Sequence, residues 1–482
     1  MVMCLIAGGI GRDIHGKLVT MIDAGKHRGR DSFGVWTDEG VLKSEDFSEV
    51  GEIPNGSIGL LQCRLAMTGS KEFIQPFFNR LVLVHNGEIY NHQPLRDWLR
   101  GKGLSFDSDV DSEVILRLIE YFLEGGLGIE SAIKKSMGLL NGDYAVGLSD
   151  GRDIYLFRDP VGIRPLYYSP KGFFASEKKV LWAIGEEAIP VRPGEVVRIS
   201  RAGIKRRTVF ELKPLGGPYS SIDKAKRALT KTLECSVRIR TGRKTGVLFS
   251  GGLDSVVTAF LASEYSDVVL YTAGTEGSPD VVWARRVSDV LGLPLREYIF
   301  DEGDVEEALT RVVFAIEEPS AMNLAIGIPM YFATRLASTD GVKVLLSGGG
   351  ADELFGGYAK YLKNPELMKE DLRGLSERNL ARDDKIAMLN GVEGRFPFLS
   401  LPVVQTALKT PLGFKIGDGI RKLVLRMTAL ELGLPEWVVM REKKAAQYGS
   451  GAQRILRDIS RRKGLRPHEY AEKLFNRVFK RG

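Results

Sequence analysis

The sequence predicts two modules of different architecture. The first is α+β, with antiparallel sheets layered with helices. The second is α/β, a doubly wound parallel sheet with a helical C-terminal part. Three observations carry this expectation. Residues 4–208 read as short strand-like runs broken by Gly and Asp turns, with few helices. A stretch rich in Pro and Gly, "RRTVFELKPLGGPYSS", then interrupts the pattern. Beyond it, strand-like and helix-like segments alternate, the rhythm of a parallel sheet with crossover helices. The expected division is 4–208, a linker over 209–221, and 222–482.

The elements follow in order. "CLIA", "FGVWTDEGVL", "SIGLLQCRLA", "RLVLVHNGEIYN", "YAVGLSDGRDIYLFRD" and "EVVRIS" carry apolar, β-branched and aromatic residues at strand spacing. "NHQPLRDWLRGKG" and "DSEVILRLIEYFLEGG" repeat apolar residues at helical spacing. In the second module a helix over 222–240 leads to strand "TGVLFS", helix "LDSVVTAFLASE", strand "DVVLYTAG", helix "VVWARRVSDVLG" and strand "REYIF". Helices near 305–316 and 326–338 precede strand "VKVLLS", and the last 130 residues read as mainly helical.

Composition narrows the function classes. The chain has 482 residues, 44% hydrophobic and 27% charged, which suits globular domains with sizeable cores. Its net charge of +7 is modest for this length and suits anionic small ligands without requiring a nucleic acid. Three scattered cysteines, Cys4, Cys63 and Cys235, make neither a disulfide framework nor a CxxC metal site, and fit a reducing cytoplasm. No secretory signal and no membrane-spanning apolar run is read.

Two glycine loops follow strands of the second module. "GVLFSGGLDS" places Ser250, Gly251 and Gly252 after a strand, with a helix from Leu253. In a doubly wound sheet such a loop lies at the carboxyl edge, where ligands bind. Its small residues allow close backbone approach to a phosphate, and the helix N-terminus turns free N–H groups toward it. Asp254 follows, a carboxylate suited to magnesium. "VKVLLSGGGADELFGGY" repeats the device with Ser347, Gly348, Gly349 and Gly350, then Asp352. The two loops predict a clamp on one Mg-nucleotide, and the absence of GxxxxGK[ST] sets it apart from the Walker type.

"SGGLDS" resembles the pyrophosphate signature of ATP pyrophosphatases. With "SGGGADELFGGY" and "GVEGRFPFL", the second module resembles the synthetase domain of glutamine-hydrolysing asparagine synthetases. The first module agrees: "HRGRDSFG", "CRLAMT", "NGEIYNH", "DSEVIL" and "RDPVGIRPLYY" resemble the N-terminal-nucleophile (Ntn-hydrolase) glutaminase domain of that family and of amidophosphoribosyltransferases. The resemblance runs along nearly the whole chain, with the motifs in the same order.

It implies a role for Cys4 as the first residue of the mature chain. Its thiol attacks the glutamine amide and its own α-amino group, which titrates near ~7.7, acts as base. The Asn86 side chain and the Gly87 N–H would hold the oxyanion. Arg64 would hold the substrate carboxylate and Asp111, with Glu88, its ammonium; Leu65, Ala66, Met67 and Thr68 would line the pocket. In the second module the resemblance places Phe249, Ser250, Gly251, Gly252, Asp254, Ser255, Ala273, Ser347 and Gly348 at ATP, and Asp254 and Asp352 at Mg²⁺. Lys443, or Lys444 in a shifted register, would oppose charge on the leaving pyrophosphate.

The implied activity is transfer of glutamine nitrogen through an internal channel to aspartate adenylated by ATP, giving asparagine, AMP and pyrophosphate. A related ligase acting on another carboxylate is the alternative. A third reading, a non-catalytic binding protein on the same scaffold, is disfavoured by Cys4, Arg64, Asp111, Asp254 and Asp352. Expected partners are glutamine, aspartate and ATP, with no nucleic acid and no membrane; a homodimer stays open. Three positions depart from the family pattern: Gly349 where an acid is usual, Arg30 where proline is, and Ser400 where aspartate is. Met1, Val2 and Met3 precede Cys4, so the base requires a start at Met3 with that methionine removed, or cleavage before Cys4.

Overall fold

The structure is a computed structural model. It describes residues 2–12, 14–66, 73–441 and 449–479, with the backbone alone at 2, 3 and 66. Its contacts divide the chain into two units, Met1–Leu212 and Lys213–Gly482.

Alternation along strand Val2–Ile10 sets the layering of the first unit. Leu5 and Ala7 pack with Leu18, Met21 and Ile22 of helix Ile14–Gly25. Cys4 and Ile6 face the other way, among Leu60, Val84, Ala145 and Leu156, all strand residues. Strands Val82–Ile89, Gly142–Ser149 and Ile154–Arg158 form a second layer on that side, continuous with the first through the Val2–Gly87 pairing, and its far face carries Leu83, Val146 and Leu148 against helices Asp111–Glu124 and Ile129–Leu139. The order is therefore helix, sheet, sheet, helix, as the α+β expectation required. Strand Val2–Ile10 pairs antiparallel with Ile58–Ala66 along its length, and Ile58–Ala66 with Ser32–Thr37. Val82–Ile89 pairs with Gly142–Ser149, and that strand with Ile154–Arg158. A one-residue slip of Val2–Ile10 would turn Cys4 onto the helix face; the strand is apolar on both sides, so its full-length pairing with Ile58–Ala66 fixes where the thiol points.

Strand Gly203–Thr208 pairs with Glu195–Ser200 and so extends the first unit into the stretch that opens "RRTV". Arg206 there donates to Glu195, which ties the strand end down.

In the second unit five parallel strands lie in the spatial order Leu295–Ile299, Asp267–Gly274, Lys244–Leu248, Val344–Leu346, Glu393–Arg395. The chain builds outward from Lys244–Leu248 in one direction, then returns beside it with Val344–Leu346. These two neighbours form the topological switch point, the crevice where such sheets take ligands. The expected helix over 222–240 is Ile222–Arg240, started by Ser221, whose side chain accepts from Lys224 N. Glu302–Ile316 and Ala321–Thr339 answer to the other two, and their apolar faces share a core with Ala452–Arg462 and Pro467–Phe479.

Strand Glu393–Arg395 was not foreseen. It holds a glycine between two charged residues, so no apolar alternation marks it; burial is possible because Arg395 and Glu393 pair at 3.1 Å. Among the described residues no helix is long and apolar enough to cross a membrane.

Candidate active sites

The first site forms around Cys4. The residue lies opposite Arg64 in the ladder, and both are buried. Because the strand continues back through Met3, the Cys4 nitrogen is a peptide N–H here, and it donates to Asn86 Oδ1 at 3.1 Å. Asn86 Nδ2 is buried and has no hydrogen-bond partner among the described residues. Gly87 follows with φ +140°, and a Cβ there would lie 1.9 Å from the Asp143 carbonyl, so only glycine lets the strand pass. Asp111 opens helix Asp111–Glu124. Its Oδ2 accepts from Ile89 N at 2.8 Å, while Oδ1 is buried with no hydrogen-bond partner among the described residues. An unpartnered amide donor and an unpartnered carboxylate oxygen thus lie on the strand, and beside the strand, that faces Cys4.

Burial pushes the Cys4 thiol well above its ordinary value, and the Arg64 guanidinium only partly offsets this. The neutral thiol therefore needs a base at the moment of attack. Leu65 and Glu88 occupy the flanking strands, opposite Met3 and Asp143 respectively. Met67 and Thr68 lie outside the described residues, as does the Ala66 side chain.

One part of this site escaped the sequence reading. Arg28 Nε donates to the Cys4 carbonyl at 3.2 Å, and its Nη1 lies 2.8 Å from Glu177. Lys179 and His27 also reach Glu177, at 2.6 and 2.9 Å. Burial alone would raise the Glu177 carboxyl, but Lys179, His27 and Arg28 hold it well below the usual carboxylate range. The partners lie 149 residues apart, in stretches that share no periodic signal. We expect Glu177→Ala to destabilise the protein by about 3–5 kcal/mol, because it removes the buried carboxylate that Arg28 and Lys179 both contact. Glutamine hydrolysis would fall with it. Urea denaturation of the variant reads this; an unchanged midpoint would refute it.

The second site lies at the switch point. Gly348 packs so closely on the first loop that a Cβ there would sit 2.7 Å from Asp254 Cβ. The two Ser–Gly loops therefore face each other. Asp254 and Ser255 are buried in the first turn of helix Leu253–Ser263, with Ser255 Oγ donating to Gly252 O at 2.9 Å. Phe249 N donates to Tyr271 O at 2.8 Å, and Ala273 is buried near the end of that neighbouring strand. Ser347 Oγ accepts from Gly349 N at 3.2 Å. Gly350 has φ +90°, and a Cβ would meet Leu399 at 2.3 Å.

Lys422, which the sequence reading missed, joins the carboxylates. Its Nζ lies 2.7 Å from both oxygens of Asp254 and 2.5 Å from Asp352 Oδ1. The tight hairpin Ile416–Gly417/Ile420–Arg421 delivers it, and it starts helix Leu423–Glu431 at φ 57°. That left-handed backbone costs a non-glycine residue about 1–2 kcal/mol. Its position after "GDGIR" is the only sequence signal. Arg421, Arg426 and Arg441 line the same small cavity as Asp352 and Gly252. Two carboxylates converging on one ammonium show that the donor set accommodates a cation. Lys443 and Lys444 lie outside the described residues.

An antiparallel α+β unit with a buried cysteine thus precedes a parallel α/β unit whose two glycine loops meet at its switch point. A family model described as a glutamine amidotransferase domain matches residues 3–193, and one described as asparagine synthase matches 228–373 and 364–481. The chain is 34% identical, over an alignment of 553 residues covering 99% of both chains, to the "Putative asparagine synthetase 1 (glutamine-hydrolyzing)" of Methanocaldococcus jannaschii. It is 29% identical to the glutamine-hydrolyzing asparagine synthetase B of Escherichia coli, over 88% of this chain and 78% of that one. Among solved structures, the glutamine phosphoribosylpyrophosphate amidotransferase of B. subtilis matches at 20% identity and TM-score 0.40, over 57% of this chain and 67% of that one. The chain belongs to the family of glutamine-hydrolysing asparagine synthetases.

Proposed function

We propose that this chain makes asparagine from aspartate, with glutamine supplying nitrogen and ATP supplying activation, and with AMP and pyrophosphate released. The observation that carries the reading is the meeting of the two Ser–Gly loops, Gly348 against Asp254, at the switch point of the parallel sheet. Family membership of both halves supports the pairing of the two reactions.

In the first site Cys4 Sγ adds to the glutamine amide carbon. The freed α-amine of Cys4 takes the thiol proton and returns it to the departing ammonia. Asn86 Nδ2, which has no hydrogen-bond partner among the described residues, and the Gly87 N–H receive the oxyanion. Arg64 takes the glutamine carboxylate and Asp111 Oδ1 its ammonium, with Glu88 and residues 65–68 around them. Water then releases glutamate from the thioester.

In the second site Ser250, Gly251, Gly252 and Ser255 surround the phosphates, and Phe249, Ala273, Ser347 and Gly348 the adenylate part. Asp254 and Asp352 would hold Mg²⁺, which supplies charge neutralisation to the polyphosphate when bound. The aspartate side-chain carboxylate attacks the α-phosphorus and pyrophosphate leaves; ammonia then displaces AMP at the acyl carbon. Lys443, with Lys444 as the neighbouring choice, and Lys422 oppose the charge on the pyrophosphate. The free thiols Cys4, Cys63 and Cys235 suit a cytoplasmic chain.

One observation favours a different acceptor. Gly349 lacks an acid, and a side chain there would begin 3.2 Å from the Phe396 ring, so an acid would require Phe396 to move. Incubation with glutamine, Mg-ATP and aspartate separates the readings. Asparagine formed in step with AMP supports aspartate; AMP formed only with another acid supports a sister ligase. Intact mass of the same sample reports whether residues before Cys4 remain. Protein that keeps them is expected to hydrolyse almost no glutamine, since its Cys4 nitrogen is an amide.

A further inference from the structure

Helix Pro279–Leu291 follows strand Asp267–Gly274 and starts at Ser278 with Pro279 in its first turn. In its second turn Trp283 faces the first Ser–Gly loop. Its indole Nε1 donates to the Gly251 carbonyl at 2.9 Å. Gly251 has φ +63°, and a Cβ on it would lie 2.6 Å from Trp283 Cδ1, so the ring fills all the room beside that residue. Arg441 lies over the Trp283 ring, 4.5 Å from its centroid, and donates through Nη1 to the Ser250 carbonyl at 3.3 Å. Its Nη2 lies 4.0 Å from Asp280, one helical turn before Trp283. Behind them Trp437 packs edge-on against Trp283, with centroids 5.5 Å apart, and Arg286 covers Trp437 at 4.3 Å.

Two successive carbonyls of the loop are thus held from one side, Ser250 by a guanidinium and Gly251 by an indole. A peptide unit with its carbonyl held on one side presents its N–H on the other. Phosphate binding by such a loop depends on those N–H groups being turned inward before the ligand arrives. We propose that Trp283, braced by Arg441, is a positioning residue that presets the Ser250–Gly252 loop for the polyphosphate of ATP. This rests on the reading of that loop as the nucleotide site. Cation–π contact makes the brace stiff, since Arg441 is attached to the loop and to the ring at once.

The chain has five tryptophans, and of these Trp283 and Trp437 are the two in the second unit. Intrinsic fluorescence therefore reports the brace. On titration with Mg-ATP, and separately with inorganic pyrophosphate, we expect a fluorescence change that persists in Trp437→Phe and disappears in Trp283→Phe. Trp283→Phe keeps an aromatic ring beneath Arg441 but loses the indole hydrogen bond and part of the packing on Gly251, so the ATP KM should rise roughly fivefold while kcat at saturating ATP stays within about twofold. Far-ultraviolet circular dichroism and the melting temperature of each variant serve as the folding control. An unchanged ATP KM in Trp283→Phe, or a full fluorescence change without Trp283, overturns the brace. Failure of the wild-type protein to bind either ATP or pyrophosphate overturns the nucleotide reading as well. Should Trp283→Phe not fold, the Trp437→Phe titration decides: no change there refutes the proposal.

Discussion

Replacing Cys4 by alanine is expected to lower glutamine hydrolysis by about a thousandfold or more, and to leave ammonia-dependent asparagine formation intact. Removing a nucleophile removes the covalent route entirely, whereas an oxyanion pocket and substrate contacts alone supply far less. The thiol sits in a packed strand position among Ile6, Val84 and Ala145, and alanine fills it with only a small loss of volume, so the fold survives. The second unit holds its own core and its own site, so ammonium chloride should substitute for glutamine in the variant. The measurement is paired: glutamate release from glutamine, and AMP formation with ammonium as nitrogen source. Retained glutaminase activity in Cys4→Ala would refute the assignment; loss of both activities would show that the two halves do not work separately.

Replacing Lys422 by methionine should act on the other half. Asp254 and Asp352 then face each other with their shared ammonium gone, and both are largely shielded from water. Removing one partner from a buried cluster of charges costs about 3–5 kcal/mol. ATP-dependent AMP formation should drop by about a hundredfold or more, because the group that balances both carboxylates and faces the polyphosphate is absent. Glutamine hydrolysis should hold near wild type at temperatures where the first unit remains folded. Magnesium gives an independent readout. A divalent cation that binds the folded carboxylates stabilises by mass action, so millimolar Mg²⁺ should raise the melting temperature of Lys422→Met more than that of the parent. A melting temperature unmoved by the substitution, with or without Mg²⁺, would refute the bridge.

How far the sequence alone reached depends on the range of the interaction. Helix Ile222–Arg240 was legible to the residue because its apolar spacing and the Pro/Gly stretch before it are both local. The two glycine loops were legible for the same reason: a strand, two or three small residues and a helix start lie within ten residues. Strand Glu393–Arg395 was hidden because its burial depends on an ion pair and on a neighbour found only in space. Lys422 was hidden likewise. It lies 168 residues from Asp254, and nothing in "GDGIRK" announces that a lysine with a left-handed backbone will reach back to it.

Sequence alone determined the two fold classes and most of the long elements in their order, because periodicity and small-residue turns act over a few residues. Tertiary pairing, not the sequence, set which face of its all-apolar strand carries Cys4. Tertiary structure decided which charges meet. Glu177 gathers Arg28, Lys179 and His27, Lys422 joins Asp254 to Asp352, and Trp283 with Arg441 braces the loop at Gly251. Most of these pairings span long stretches of chain. A buried charge or an indole N–H has no preferred partner until the packing of the sheets and helices removes water and leaves it one.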